Sequence, residues 1–239
     1  MTPGSVQLPM TNTEFLPPMQ SIGPVRISQE RVDRHPAYAE LLRTTTATGC
    51  CPVWITDPDL LRPPADPSAA IARIDGFDPA ALLARGWTPN CPLCGCRDPF
   101  GDVFPGLAPP GDAPEHAIDQ AATAELLHIG HLAVVGVDRP ADVITAIDWS
   151  GPCNIRADLA ELSAVLRSWE DRFGAFVVRI DRSTLWLSVA APPGTTQHAR
   201  EVAAEHFAFC RDVDWEDPRP LRGYASGLVE GHTWRFWWD

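Results

Sequence analysis

The sequence predicts an α+β fold: a mixed sheet with helices packed on it, preceded by a loop-rich, proline-rich N-terminal part. Three observations carry this. Residues 1–114 hold 19 of the 25 prolines. Across 115–239, apolar runs of strand length alternate with stretches of helical 3–4 spacing. Two of the strand-like runs, 175–180 and 184–189, are separated only by Asp181-Arg182-Ser183, which reads as an antiparallel hairpin. The chain is accordingly divided into 1–114, with short helices and strands, and 115–239, an α+β unit. Phe104-Pro105-Gly106-Leu107-Ala108-Pro109-Pro110-Gly111-Asp112 is the natural linker.

Each element has a local reason. Residues 1–20 carry no period and read as weakly ordered. A short strand is expected at 25–28. A helix over 37–46 follows His35-Pro36, since proline suits a first turn. Val53-Trp54-Ile55 reads as a buried strand over 52–56, ended by Asp57-Pro58. A helix over 79–85 has Asp78 as N-cap and Gly86 as its stop. In the second part, a helix is expected over 118–128, a strand over 132–137 and a helix from Asp138-Arg139-Pro140 to about 147. The strongest helix follows. Asp158 and Glu161 have capping-box spacing, Leu159, Leu162, Val165, Leu166, Trp169 and Phe173 repeat at 3–4 spacing, and Gly174 ends it. After the hairpin come a helix capped by Thr195 or Thr196 and running to 209, a helix over 221–229, and a closing strand over 233–238.

Charge and cysteine content narrow the function. The formal net charge is −12, and all 19 basic residues are arginine. Without lysine there is no lysine Schiff base and no lysine-type phosphate loop. The acidic balance argues against a nucleic-acid partner and permits a basic protein. No apolar run approaches membrane-span length. Met1-Thr2-Pro3-Gly4-Ser5 lacks the basic and apolar regions of a secretory leader. With an odd number of cysteines, seven, the expectation is a reduced, cytoplasmic protein.

Four constellations could carry chemistry. Cys91-Pro92-Leu93-Cys94-Gly95-Cys96 has the form of a metal knuckle, whose turn tips thiolates toward one ion. It supplies at most three ligands for a structural Zn2+; Cys50 or Cys51 could be a fourth, with His116 a weaker candidate, and the competing reading is a tight turn with exposed thiols. His206 and Cys210 stand one helical turn apart, but they share the apolar face of Ala199, Val202, Ala203 and Phe209, which favours a buried histidine over an activated thiol. Glu170 and Asp171 sit next to Arg167 and Arg172; as neighbours on a helix they point about 100° apart and read as ion-pair partners of those arginines unless another element completes an acid/base site. In the last strand Trp234, Phe236 and Trp238 share one face and Arg235 and Trp237 the other. That second face is either covered by helices or a contact surface, since Trp and Arg dominate such surfaces.

Several motifs of the C-terminal part occur together: Asp148-Trp149-Ser150-Gly151-Pro152-Cys153-Asn154, Leu166-Arg167-Ser168-Trp169-Glu170-Asp171-Arg172-Phe173-Gly174-Ala175, Leu187-Ser188-Val189-Ala190-Ala191-Pro192-Pro193, Ala203-Ala204-Glu205-His206-Phe207-Ala208-Phe209-Cys210 and Trp234-Arg235-Phe236-Trp237-Trp238-Asp239. In this order they resemble the bacterial family of domains of unknown function numbered 4253, over roughly 130–239. The resemblance implies no reaction. It does single out the polar residues of its motifs, and Asn154, Arg167 and Arg172 have the directional donors that hold a carboxylate or another anion.

The leading expectation is a non-catalytic binding or accessory protein, of immunity type, that engages a protein or small ligand, possibly a basic protein, through Asn154, Arg167, Trp169, Arg172, Arg235 and Trp237. One alternative is an enzyme using Glu170, Asp171, Glu205 and His206 as an acid/base site. Another is a zinc-stabilised scaffold held by Cys91, Cys94, Cys96 and Cys50.

Overall fold

The structure, a computed structural model, describes residues 15–87, 97–152, 158–210 and 221–238. The described strands are β1 (Met19–Ile22), β2 (Val25–Ser28), β3 (Cys51–Ile55), β4 (His131–Val135), β5 (Ala175–Ile180), β6 (Thr184–Val189) and β7 (Thr233–Trp237). The described α-helices are α1 (Ala37–Thr48), α2 (Pro67–Ala72), α3 (Pro79–Gly86), α4 (Ala117–Thr123), α5 (Val143–Ala146), α6 (Leu159–Phe173), α7 (Thr196–Phe209) and α8 (Leu221–Ser226). The fold is α+β, as the sequence implies.

All seven strands form one mixed sheet in the order β1-β2-β4-β3-β5-β6-β7. Among the described strands only the β3–β5 pairing is parallel. β3 therefore lies between β4 and β5, and Val53, Trp54 and Ile55 are fully buried. Strands from either side of the proline-rich stretch at 104–112 share this sheet, so that stretch does not separate two sheets. It is itself fastened across α6 and α7, as described below.

Side chains alternate between two cores. On one face Val53, Ala133, Val177, Leu187, Trp234 and Phe236 meet α5, α6, α7 and α8. On the other, Trp54, Leu132, Val134 and Val178 meet Tyr38, Leu41 and Leu42 of α1 and Ala121 of α4.

Several boundaries differ from the sequence reading. β1 was not expected; it pairs with β2 through a turn in which Gly23 has φ +57°, a conformation that glycine adopts at no steric cost. α2 was also missed, although Asp66 caps it and Pro67 opens it. The expected 118–128 helix stops at Thr123, where His128 folds back to place Nε2 2.9 Å from the Ala121 carbonyl. The helix expected from Asp138-Arg139-Pro140 to about 147 is a 3-10 turn over Pro140–Asp142 followed by the single turn of α5. The helix expected over 221–229 ends at Ser226.

Candidate functional site

α6 positions the most polar surface of the matched motifs. Its first turn is capped by Asp158, whose carboxylate accepts from the Ala160 N–H, and its last by Gly174 in the left-handed conformation. Trp169 and Phe173 point into the core. Arg167, Ser168, Asp171 and Arg172 line an open groove of about 450 Å3 that Asp75, Phe77 and Arg139 complete.

Three guanidiniums share this groove, two fixed by the buried carboxylates of Asp142 and Glu205 and the third by the half-buried Glu170. Arg167 makes a fork with Asp142, Nε to Oδ1 at 2.6 Å and Nη2 to Oδ2 at 2.8 Å. Arg172 makes a fork with Glu205, Nη1 to Oε1 at 2.8 Å and Nη2 to Oε2 at 2.6 Å. Arg139 donates through Nε to Glu170 Oε1 at 2.8 Å. Such planar pairs fix the guanidinium in direction as well as in place. Two further carboxylates sit at the rim: Asp75 on Arg167 and Asp171 on Arg139. Their side chains are 77% and 66% exposed, against 4% for Asp142 and 0% for Glu205. Burial raises the Glu170 carboxyl above its ordinary value, although Arg139 and the Ala141 N–H pull the other way. The pKa of Arg167 is raised, chiefly by its hydrogen bonds to Asp142.

Glu205 is the centre of a second, fully buried set. Besides Arg172 it accepts from Trp169 Nε1 at 2.7 Å and from the Ala108 N–H at 2.7 Å. His206 beside it is lodged among Trp169, Trp234 and Phe236, with ring centroids 4.5–5.0 Å apart. Its Nδ1 lies 2.9 Å from the Tyr224 hydroxyl. Burial first, and the charge of Arg172 second, push its pKa down to about 3, so the ring is neutral.

The expected site residues are thus redistributed. Arg167 and Arg172 do meet in one groove. Glu170 and Asp171 pair with Arg139 rather than with Arg167 and Arg172, because the loop after β4 brings Arg139 over the last turns of α6. Glu170, Asp171, Glu205 and His206 do not converge: Glu205 and His206 face the core, and each carboxylate of the set already has a cationic partner. Trp169 is a core residue and not a contact residue, with no exposed surface. Cys210 is buried, and its thiol lies 3.0 Å from the Trp237 carbonyl oxygen rather than acting as an activated nucleophile. Arg235 and Trp237 lie on the other side of the sheet, where the guanidiniums of Arg235 and Arg179 stand 5.5 and 4.6 Å from the Trp186 ring centroid.

Asn154, Cys91, Cys94 and Cys96 lie outside the described residues. Cys50 is buried behind α1, and burial raises its thiol pKa. Among the described residues no group of three or more His, Cys, Asp or Glu side chains is placed to hold a metal ion. Sequence reasoning missed Arg139, Asp142 and Asp75, whose partners on α6 lie 25 to 92 residues away. Only the proline of Arg139-Pro140 hinted at a fixed turn there.

The groove arginines, the buried Glu205 and the aromatic strand β7 fall inside one contiguous stretch that matches a known family. Residues 131–239 match the family model described as Domain of unknown function (DUF4253). The DUF4253 segment contains β4 to β7 and α5 to α8, together with Arg139, Asp142, Arg167, Arg172 and Glu205. Asp75 and the central strand β3 come from outside it. No curated protein and no solved structure matches the chain. Among the described residues no helix is long and apolar enough to cross a membrane.

Proposed function

We propose that this protein is a binding module whose recognition surface is the α6 groove and whose partner is a protein segment carrying basic residues. One observation carries the reading: three guanidiniums are each paired with an inner carboxylate, Asp142, Glu205 or the half-buried Glu170, while Asp75 and Asp171 stand exposed at the rim. The inner pairs make a rigid floor. The outer carboxylates leave the groove net negative, in keeping with a chain charge of −12. Phe77 and Leu107 add apolar walls. A basic partner would be steered toward such a surface, with an association rate that falls as salt rises. Acid/base catalysis fits poorly. Both oxygens of Glu205 are engaged by Arg172, Trp169 and Ala108, and His206 has no exposed surface.

The test is a titration of the 15N-labelled full chain with a short arginine-rich peptide and with an acidic peptide of equal length. The expected result is saturable shifts at Ser168, Asp171 and Asp75 with the basic peptide alone. These shrink in 0.5 M salt and in the Asp75→Asn/Asp171→Asn variant. Groove amides that stay unmoved at low salt, or that respond equally to both peptides, overturn the reading.

A further inference from the structure

Residues 104–112, Phe-Pro-Gly-Leu-Ala-Pro-Pro-Gly-Asp, cross the cleft between α6 and α7 as a strap. Its hold is concentrated on the backbone around Ala108. The Ala108 N–H donates to Glu205 Oε1 at 2.7 Å, and Arg172 Nη1 donates to the Ala108 carbonyl at 2.8 Å. On the far side His198 Nε2 lies 2.8 Å from the Pro109 carbonyl oxygen, and the Gly111 N–H donates to the Arg172 carbonyl at 2.9 Å. Among the strap's side chains, half-buried Phe104 packs against the core, its ring centroid 6.0 Å from that of Trp87. Ala108 is the one buried residue between 102 and 112, while Val103, Pro105, Leu107, Pro109 and Pro110 are exposed.

Part of the cleft's polar geometry is held by contacts that do not involve the strap. Arg172 binds both oxygens of Glu205, and Trp169 Nε1 fixes one of them. With the strap lifted, one acceptor and one donor remain, spaced to read the N–H and C=O of a single extended residue. The groups that do the reading, Trp169, Arg172, His198 and Glu205, all lie within 131–239, whereas the strap lies outside it.

We propose that the cleft between α6 and α7 is a peptide-recognition site, filled in this structure by the chain's own strap, and that it accepts an extended partner segment of the same chemistry: a small residue, two prolines, then glycine. The small residue is set by the closed pocket around Ala108, which leaves it 3% exposed. Prolines are admitted because Pro109 and Pro110 face solvent, and they stiffen the free segment so that less entropy is lost on binding. Glycine is required at 111, where a Cβ would come within 2.0 Å of the Ala191 carbonyl oxygen. A tethered strap acts at an effective concentration of order millimolar, so an incoming segment competes only when the strap's own fit is weakened or the partner is concentrated.

The experiment uses a fluorescein-labelled peptide of residues 104–112 and the full-length Gly111→Ala chain, whose own strap no longer fits. The expected result is that Gly111→Ala binds the native peptide at least tenfold more tightly than the unaltered chain does. It should not bind a peptide carrying the same Gly→Ala change. A folded Gly111→Ala chain that takes up no peptide at millimolar concentration overturns the proposal. Hydrogen exchange on the unaltered chain gives a second reading that needs no variant. The Ala108 amide is expected to exchange well before that of Leu187 in β6, as a strap lifting on its own requires. Exchange of Ala108 only on global unfolding also overturns the proposal.

Discussion

Replacing Glu205 by glutamine changes one atom at the most heavily bonded carboxylate described, and its cost can be worked out from the contacts. Four donors converge on the two oxygens: Ala108 N, Trp169 Nε1 and both Nη atoms of Arg172. Glutamine keeps one oxygen and puts an NH2 group where the other stood, so a donor faces donors. The charge on Arg172, whose side chain is only 15% exposed, then loses its partner. Removing one member of a buried ion pair costs about 3–5 kcal/mol, most of it the penalty of the stranded charge. For a chain of this length about 1 kcal/mol moves the midpoint by roughly 2–4 °C, so Glu205→Gln should melt about 6–20 °C lower. Calorimetry together with urea titration measures this. Arg172→Met and the Arg172→Met/Glu205→Gln double variant complete the cycle, and the double variant should lose at least about 2 kcal/mol less than the sum of the singles. Strictly additive losses, or a Glu205→Gln loss below about 1 kcal/mol, would refute the account of Glu205 as the buried counter-ion of Arg172.

The two carboxylates on Arg167 should behave oppositely. Asp75→Asn at the exposed rim is expected to cost less than about 1 kcal/mol, whereas Asp142→Asn beneath it should cost several; equal losses in urea titration would contradict the inner-and-outer arrangement. His206 predicts a pH slope. Its pKa is about 3 in the fold against 6.5 ordinarily, so between those values the unfolded chain binds a proton that the folded chain does not. Stability should then fall with falling pH by up to about 1.4 kcal/mol per unit, a component absent from His206→Phe; identical slopes for the two chains would show that the ring protonates freely. Gly130→Ala should destabilise strongly, because Gly130 has φ +120° and a Cβ would lie 2.5 Å from the Ile55 carbonyl oxygen; an unchanged melting temperature would mean that the loop relaxes. The isolated fragment 131–239 lacks β3 and should show no cooperative melting transition, and a sharp one would prove that β4 and β5 can close without it.

Much of the fold was legible because it is local. The 175–180/184–189 hairpin, the cap and stop of α6, and the helix from Thr196 to Phe209 all rest on spacing and end residues within one turn of the element. The place of β3 was not legible. Its apolar run says strand, but pairing antiparallel to β4 and parallel to β5 is decided by surfaces 76 and more residues downstream. β1 was missed because Met19-Gln20-Ser21-Ile22 has no alternation of its own and is held by β2. The site divides the same way. Arg167 and Arg172 stand in one motif and share one groove. Glu205, by contrast, looks like any helical glutamate until Arg172, 33 residues earlier, is seen to cover it. The resemblance marks Trp169 as a contact residue, whereas its 3–4 spacing puts it on the apolar helix face, and its indole N–H is satisfied in the core by Glu205.

The central place of β3 also orders events during synthesis. Both of its sheet neighbours, β4 and β5, are made after it, so an apolar segment waits unpaired while the ribosome adds the residues up to His131 and beyond. At roughly 5–20 residues per second that wait is on the order of 4–15 seconds. During it, Cys51-Pro52-Val53-Trp54-Ile55 has only α1 to shield one side. Proline at the second position then takes on a further role: it denies a neighbouring nascent chain one rung of any premature strand pairing.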